Sequence, residues 1–473
     1  MNKYYDYIII GGGPTGLTLA LYLSKYNKKV ALVEKEDQIG GCHSVKRVNG
    51  LFSEHGPRIY LDNYLVFGDI LKKELNTSFN ELFTKYKIGK SDIYKVIKSL
   101  SFRELFILAS VFLNLNDNYK KTSFKEFLDY HNFSEKSKDI LDRIGRLTDG
   151  GGIEKYTLFS FLQIINQNIL YNIYQPKKPN DVGLFKILHQ ELIKRNVDIY
   201  LNSEVKKINT NNTNLIINIT TDKYIFNADN FIFAIPPINI NKLFYNNNID
   251  SGFKKDFNIW SENTNYITFI PVIFHWNTKL NIKRIWGYPQ TSWGVGYIIM
   301  SDYMDFNDDR SKTVISAIIT MSSNKSEFLN KTPDEIPYKE IIIKEVFRQL
   351  KTIHPNLPEY TNAIMSQNYH NGKEWISVHN AFMTTKYGYL DFNSKIYKNL
   401  FNCGVHNGKS TYSFTSLESS IVNAIELLYI LVPETKNEIK IRKATTLRII
   451  LLIIIVIILI FTLIFYFRKR LCF

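Results

Sequence analysis

The stretch Tyr7-Ile-Ile-Ile-Gly-Gly-Gly-Pro-Thr-Gly16, followed by Val30-Ala-Leu-Val-Glu34 and by Gly40-Gly41, decides how the rest of this 473-residue chain is read. An apolar run enters a glycine turn, a helix opens on Pro14, and a second apolar run ends in an acid. Gly11 permits the tight turn, Gly13 lets the backbone approach a pyrophosphate, and Gly16 lets the helix lie close to the sheet. The helix amino terminus offers unpaired N–H groups and the positive end of a dipole to the phosphates. Glu34 lies 18 residues beyond Gly16, near the interval of about 20 expected for an acid that takes ribose hydroxyls and repels a 2′-phosphate. The pattern predicts a βαβ unit holding the ADP half of a dinucleotide.

Bulk properties bound the remainder. The length exceeds one compact core, and 45% hydrophobic with 22% charged residues is ordinary for a folded protein. Asparagine runs such as Asn211-Asn212 and Asn246-Asn247-Asn248 read as surface loops. Cys42, Cys403 and Cys472 are too dispersed for a disulfide framework or metal site, which points to a reducing compartment. The net charge of +15 raises nucleic acid as a partner. Seven basic residues, Lys440, Arg442, Lys443, Arg448, Arg468, Lys469 and Arg470, instead flank one apolar segment, which favours membrane lipid and no nucleic acid.

That segment, Ile449 to Phe467, is 19 residues without a charge. As a helix rising about 1.5 Å per residue it spans roughly the 30 Å of a hydrocarbon core. No amino-terminal signal precedes it and six residues follow it, so the expectation is a single-pass carboxyl-terminal tail anchor with a cytosolic body.

The fold class is α/β, with a Rossmann-type nucleotide domain built from residues 1–63, 191–238 and 391–430. A mainly helical insertion is expected over 64–190, where Phe67, Ile70, Leu71 and Phe124, Phe127, Leu128 recur at helical spacing. Residues 239–390 read as a substrate domain with a mixed sheet, from strand-like runs at Tyr266 to Phe274, Trp293 to Met300 and Val314 to Met321. Strands are also expected at Ile199 to Leu201, Val205 to Ile208, Leu215 to Thr220 and Asn230 to Ile235, the last ended by Pro236-Pro237. The apolar run Leu105 to Leu113 is too short to span a bilayer and fits a core helix, a pocket wall or a membrane-surface helix. A basic linker, 431–448, leads to the transmembrane helix, 449–467.

These motifs, in this order over residues 5–430, resemble those of the flavin-containing amine oxidase and protoporphyrinogen oxidase superfamily. The resemblance is carried by Glu34 to Gly41, by Asn49-Gly-Leu-Phe-Ser-Glu-His-Gly-Pro-Arg58, by Ser203-Glu-Val205 with Phe233-Ala-Ile-Pro-Pro237, and by Leu400-Phe-Asn-Cys-Gly404 with Ser416-Leu-Glu-Ser419. It implies noncovalent FAD, contacted by Gly11, Gly13, Pro14, Thr15, Gly16, Glu34 and Lys35, then by Gly40, Gly41 and Cys42. Gly56, Pro57 and Arg58 would lie along the flavin edge, Val205 at the adenine, and Gly404 with Leu417 at the closing motif. Two positions depart from the family: Cys42 stands where many relatives carry arginine, and Val405 where many carry an acid. No cysteine lies between Gly404 and Glu418, which argues against a covalent flavin.

The resemblance implies hydride transfer from substrate to flavin N5. Arg58, His55 and His406 are the catalytic candidates, with His43 also within a flavin motif; histidine moves protons near neutral pH. Trp375, Tyr412 and Phe414 are candidate aromatic walls. The lysine that many amine oxidases place opposite N5 is not identifiable, with Lys283 and Lys279 equally placed. The substrate is expected to be a small molecule, hydrophobic or an amine. Two alternatives stand beside the oxidoreductase: an isomerase like UDP-galactopyranose mutase, whose fingerprint and Gly-Pro segment are similar, and a catalytically degenerate flavin-binding scaffold.

Overall fold

The computed structural model describes residues 3–86, 98–267, 269–282, 290–412 and 415–471. The strands that matter for the site are β1 (Tyr4–Ile10), β2 (Val30–Val33), β3 (Asp198–Tyr200), β4 (Lys207–Thr210), β5 (Ile216–Thr220), β6 (Ile225–Phe233), β7 (Ile270–Trp276), β8 (Val295–Ile299), β9 (Thr313–Ile319), β10 (Asn362–Ile364) and β11 (Leu400–Asn402). The corresponding helices are α1 (Pro14–Lys25), α2 (Leu65–Lys73), α3 (Phe102–Leu113), α4 (Leu158–Asn168), α5 (Lys339–Ile353), α6 (Leu417–Leu431) and α7 (Leu447–Leu471).

A seven-stranded sheet in the order β3-β2-β1-β6-β5-β4, with β11 also pairing β6, forms the nucleotide domain. The pairs β1/β2, β2/β3, β1/β6 and β6/β11 are parallel, whereas β4 and β5 add as antiparallel strands. A central parallel strand is covered on both faces and needs an unbroken apolar run. Accordingly Tyr7 and Ile9 pack into the layer holding α1 and α6, while Ile8 and Ile10 pack into the opposite layer. Helix α1 is buried from Thr15 to Leu23, which explains why it is apolar around most of its circumference. Register places Ile10 opposite both Val33 and Phe233, and Phe233 opposite Asn402. The carboxyl ends of four parallel strands therefore open at one edge.

The second sheet, in the order β8-β9-β7-β10, is antiparallel and is covered by α5 through a core of Phe274, Trp276, Val346 and Phe347. Two expected strands differ in the structure. The run Tyr266 to Phe274 divides between Asn265–Ile267, which pairs with Ala381–Thr384, and β7 in the main antiparallel sheet. Val205 and Lys206 stay outside β4 and line the cleft described below. Among the described residues, ten of the eleven non-glycine residues with positive φ are asparagines, so the asparagine bias of the chain supplies its left-handed turns.

Helix α7 contains the one helical window among the described residues that is long and apolar enough to cross a membrane, Leu447–Ile464, with mean hydropathy 3.4 and none of it buried.

Candidate active site

A cleft of about 1170 Å³ runs along the carboxyl edge of the parallel strands and continues beneath the antiparallel sheet. This is where open α/β sheets bind ligands, at the point where strand order reverses. Its volume exceeds the roughly 300–1,000 Å³ of a typical small-molecule pocket, so it can take an extended ligand with a substrate beside it.

The nucleotide end is built by the opening motif. Gly11, at φ +110°, turns out of β1 where a Cβ would lie 2.6 Å from the Ala234 carbonyl oxygen. At Gly16 a Cβ would come within 2.0 Å of the Gly11 oxygen, so only glycine lets α1 sit this close to the turn. A Cβ at Gly13 would meet nothing nearer than Gly41 Cα at 3.9 Å, which leaves a cradle in front of α1. Helix α1 has Pro14 at its first turn, no acid there and no side-chain cap. Its leading N–H groups therefore face the cleft as an anion site.

Glu34, at the end of β2, is buried and accepts from Gly12 N at 2.5 Å and Glu36 N at 2.9 Å. Burial pushes its carboxyl up, and the backbone donors at Glu36 and Gly12 oppose that shift. Lys35, Gly41, Cys42 and Val205 complete this end of the cleft. Gly40 supports the wall from behind, donating its N–H to the Gly12 oxygen at 2.8 Å with φ +126°.

The middle of the cleft is formed by Pro57, Arg58, Cys403, Gly404, His406 and Leu417. Arg58 donates through Nη2 to the Cys42 carbonyl, while its buried Nε has no protein partner. The Arg58 carbonyl in turn accepts from Gln175 Nε2 at 2.7 Å, which fixes the segment. Burial raises the Cys42 thiol, and the Arg58 charge partly offsets this. Cys403 is fully buried and donates weakly to the Asn423 carbonyl at 3.4 Å, the behaviour of a small core residue.

The histidines separate into different roles. His406 lies on the cleft wall, its Nε2 is 3.1 Å from Asn402 Oδ1, and burial pushes it down to about 3. His55 lies behind the wall, paired through Nε2 to the Ser377 hydroxyl with its Nδ1 unpartnered, and burial holds it well below the usual histidine range. Gly56, at φ +142°, packs against Ile318 rather than lining the cleft. His43 lies 3.2 Å from the Tyr60 hydroxyl, and burial lowers it likewise.

The far end is apolar. Leu147, Ile164, Ile267, Phe269, Ile318 and Ala381 line it. Its polar groups are neutral, among them Thr148, Asn168, Ser377 and His379, and burial pushes His379 down to about 4. Among the described residues the cleft has two carboxylates, Glu34 and Glu204, both at the nucleotide end, and one arginine, Arg58.

Sequence reasoning missed Ser377 and His379, because they reach the cleft only through the pairing of 375–377 with 368–370 and no local motif marks them. Trp375, read as a possible flavin wall, instead packs in the core beneath α5 and donates Nε1 to the Pro333 and Ile336 carbonyls at 3.1 and 3.0 Å. Tyr412 is buried with its hydroxyl on Asn168 Oδ1. Lys279 is 59% exposed and bonds the Ser301 carbonyl at 3.1 Å, away from the cleft. Lys283 and Phe414 lie outside the described residues.

Comparison with known proteins places this architecture in a class. Residues 9–73 match the NAD(P)-binding Rossmann-like domain family, and the fold as a whole is similar to that of solved oxidases. Putrescine oxidase superposes with TM-score 0.65 at 14% identity, over 92% of this chain and 100% of that one. A putative protoporphyrinogen oxidase from Exiguobacterium sp. 255-15 superposes with TM-score 0.59 at 14% identity, over 92% and 99%. By sequence, the UDP-galactopyranose mutase of Mycoplasma genitalium is 27% identical over 197 residues, 40% of this chain and 43% of that protein. The chain thus matches less than half the length of that relative.

Proposed function

We propose that the chain is a noncovalent FAD-dependent oxidoreductase, held at a membrane by α7, that acts on an apolar substrate. The observation that carries the reading is the division of one continuous cleft into a dinucleotide end and an apolar end. The open cradle at Gly13, the uncapped α1 terminus and Glu34 fit the ADP half. The unpartnered buried Nε of Arg58 fits a polar edge of the flavin ring between the two ends.

When bound, FAD would supply a two-electron acceptor that takes a hydride from a substrate C–H bond. The chain's own work is binding, orientation and exclusion of water. Arg58 would place a fixed positive charge where the ring gains negative charge on reduction. His406 and His379, kept neutral by burial, would act as hydrogen-bonding groups rather than as cations at neutral pH. Among the described residues the apolar end offers no carboxylate to pair with an ammonium group. This favours a neutral, hydrophobic substrate over a charged diamine.

The mutase relative supports a second reading, in which the same cleft serves an isomerisation without net redox change. A nucleoside diphosphate sugar needs cationic partners for its phosphates, and the described lining offers one arginine, Arg58, with the lysines Lys35, Lys206 and Lys242. Both readings are therefore carried into the test.

The test is the full-length protein in detergent. It should carry FAD and be reduced anaerobically by a member of a panel of porphyrinogens, apolar amines and unsaturated lipids, with dye reduction as an acceptor-independent readout. Activity confined to the prereduced protein with a nucleotide sugar would establish the mutase reading instead. A protein that takes up no FAD would overturn both.

A further inference from the structure

Helix α3 packs Phe112, Leu108 and Val111 inward and still carries apolar side chains on its outer face. Ser101 caps it, and Glu104 closes the capping box while lying buried beneath the helix. Outward lie Phe102, 86% exposed, Phe106, 68% exposed, and Ala109. The 4- and 3-residue intervals make this one stripe, where a surface helix ordinarily carries polar residues. Ile165 near the end of α4, and Ile169 and Leu170 just beyond it, are exposed as well.

The two helices both reach the root of α7. Arg448 donates its N–H to Asn166 Oδ1 at 2.9 Å and its Nε to the Leu113 carbonyl at 2.9 Å, so one residue ties the base of α7 to both helices. The Tyr171 hydroxyl adds a bond to the Thr445 carbonyl at 2.8 Å. Leu447 and Leu451 pack against the cluster that also takes Leu108, Val111 and Ile164. Beyond them, from Leu452 to Ile464, α7 is an exposed apolar helix. Asn166, the anchoring residue, lies between the exposed Ile165 on α4 and Ile169 just past its end.

Resting on the reading of α7 as a membrane anchor, we propose that the outer faces of α3 and the end of α4 are a second membrane-embedded surface, occupied by lipid acyl chains. Contiguous apolar exposure of this kind marks an interaction site, and its continuity with α7 makes the bilayer the occupant. The placement also gives the cleft an entrance. Ile164 and Asn168 line the cleft from the inner side of α4, whereas Ile165 and Ile169 face outward from the same two turns. A hydrophobic substrate dissolved in the leaflet would meet the apolar end of the cleft across the thickness of one helix, without crossing water.

The experiment uses the full-length chain with Cys472→Ser, inserted into phosphatidylcholine vesicles that carry nitroxide groups on their acyl chains. Phe106→Cys, Ile169→Cys and, as a control, Tyr4→Cys each receive an environment-sensitive fluorophore, with the label-treated Cys472→Ser protein as background. Tyr4 is 55% exposed at the amino end of β1, opposite the cleft edge. Quenching several-fold stronger at positions 106 and 169 than at position 4 is the expected result. Vesicle-bound protein with all three labels equally unquenched overturns this proposal and leaves the anchor standing. Protein that does not float with the vesicles overturns both.

Discussion

Gly13→Ala separates cofactor binding from folding. The backbone at Gly13 has φ −76° and ψ 176°, an extended conformation open to any residue, and the new methyl would meet only Gly41 Cα at 3.9 Å. The apo fold should therefore keep its melting temperature. The same methyl enters the space in front of the α1 N–H groups, where a phosphate oxygen must approach to about 2.8 Å. A carbon there holds the oxygen back to about 3.5 Å. Losing one charge-assisted hydrogen bond costs about 1.5–3 kcal/mol, which weakens FAD binding by roughly 10- to 150-fold at about 1.4 kcal/mol per decade. Gly16→Ala is the counterpart: its methyl would lie 2.0 Å from the Gly11 oxygen, so α1 must move and the apo protein should melt lower by the roughly 1–3 kcal/mol of overpacking. Equilibrium titration of apo protein with FAD, with thermal melting alongside, distinguishes the two. If Gly13→Ala binds FAD as tightly as the wild type, the phosphate-cradle assignment is wrong.

Three further outcomes follow from individual side chains. The folded-state pKa of His406, near 3, lies below the unfolded value of about 6.5. Its contribution to stability is thus present above pH 6.5 and is lost as pH falls towards 3, at up to about 1.4 kcal/mol per pH unit. His406→Gln should flatten acid denaturation over that window by a comparable slope, and an unchanged profile would contradict the burial argument. Glu418 on α6 accepts from Val66 N at 2.8 Å and Phe67 N at 3.0 Å, capping α2 from another element. Glu418→Ala should cost about 2–4 kcal/mol and raise amide exchange across α2, and unaltered exchange there would show the cap to be dispensable. Because no cysteine lies between Gly404 and Glu418 and Cys403 is buried against Asn423, acid precipitation should release all flavin into the supernatant. Colour remaining with the pellet would indicate a covalent link.

How far the sequence could be read depended on the range of the interaction concerned. The strand, turn, helix and acid from Tyr7 to Glu34 are local, each residue type answering a local steric or electrostatic demand, and they were legible. Gly11, Gly13, Pro14, Thr15 and Glu34 of that motif line the cleft, whereas Gly16, and further along the chain Gly40 and Gly56, sit behind it and act through packing. Val205, read as the first residue of a strand, lies in the cleft wall outside β4, which begins only at Lys207. Ser377, His379 and Ile318 were illegible because strand pairings around the antiparallel sheet, set by the whole core, bring them to the apolar end of the cleft. Trp375 shows the converse. A large aromatic near a motif carried no local sign that α5 would cover it.

The central claim is that the cleft holds FAD, and the most direct measurement is the flavin content of the full-length protein purified in detergent. One FAD per chain, noncovalent and identified by mass after denaturation, is the predicted result. A colourless protein that remains without flavin after incubation with excess FAD would contradict it.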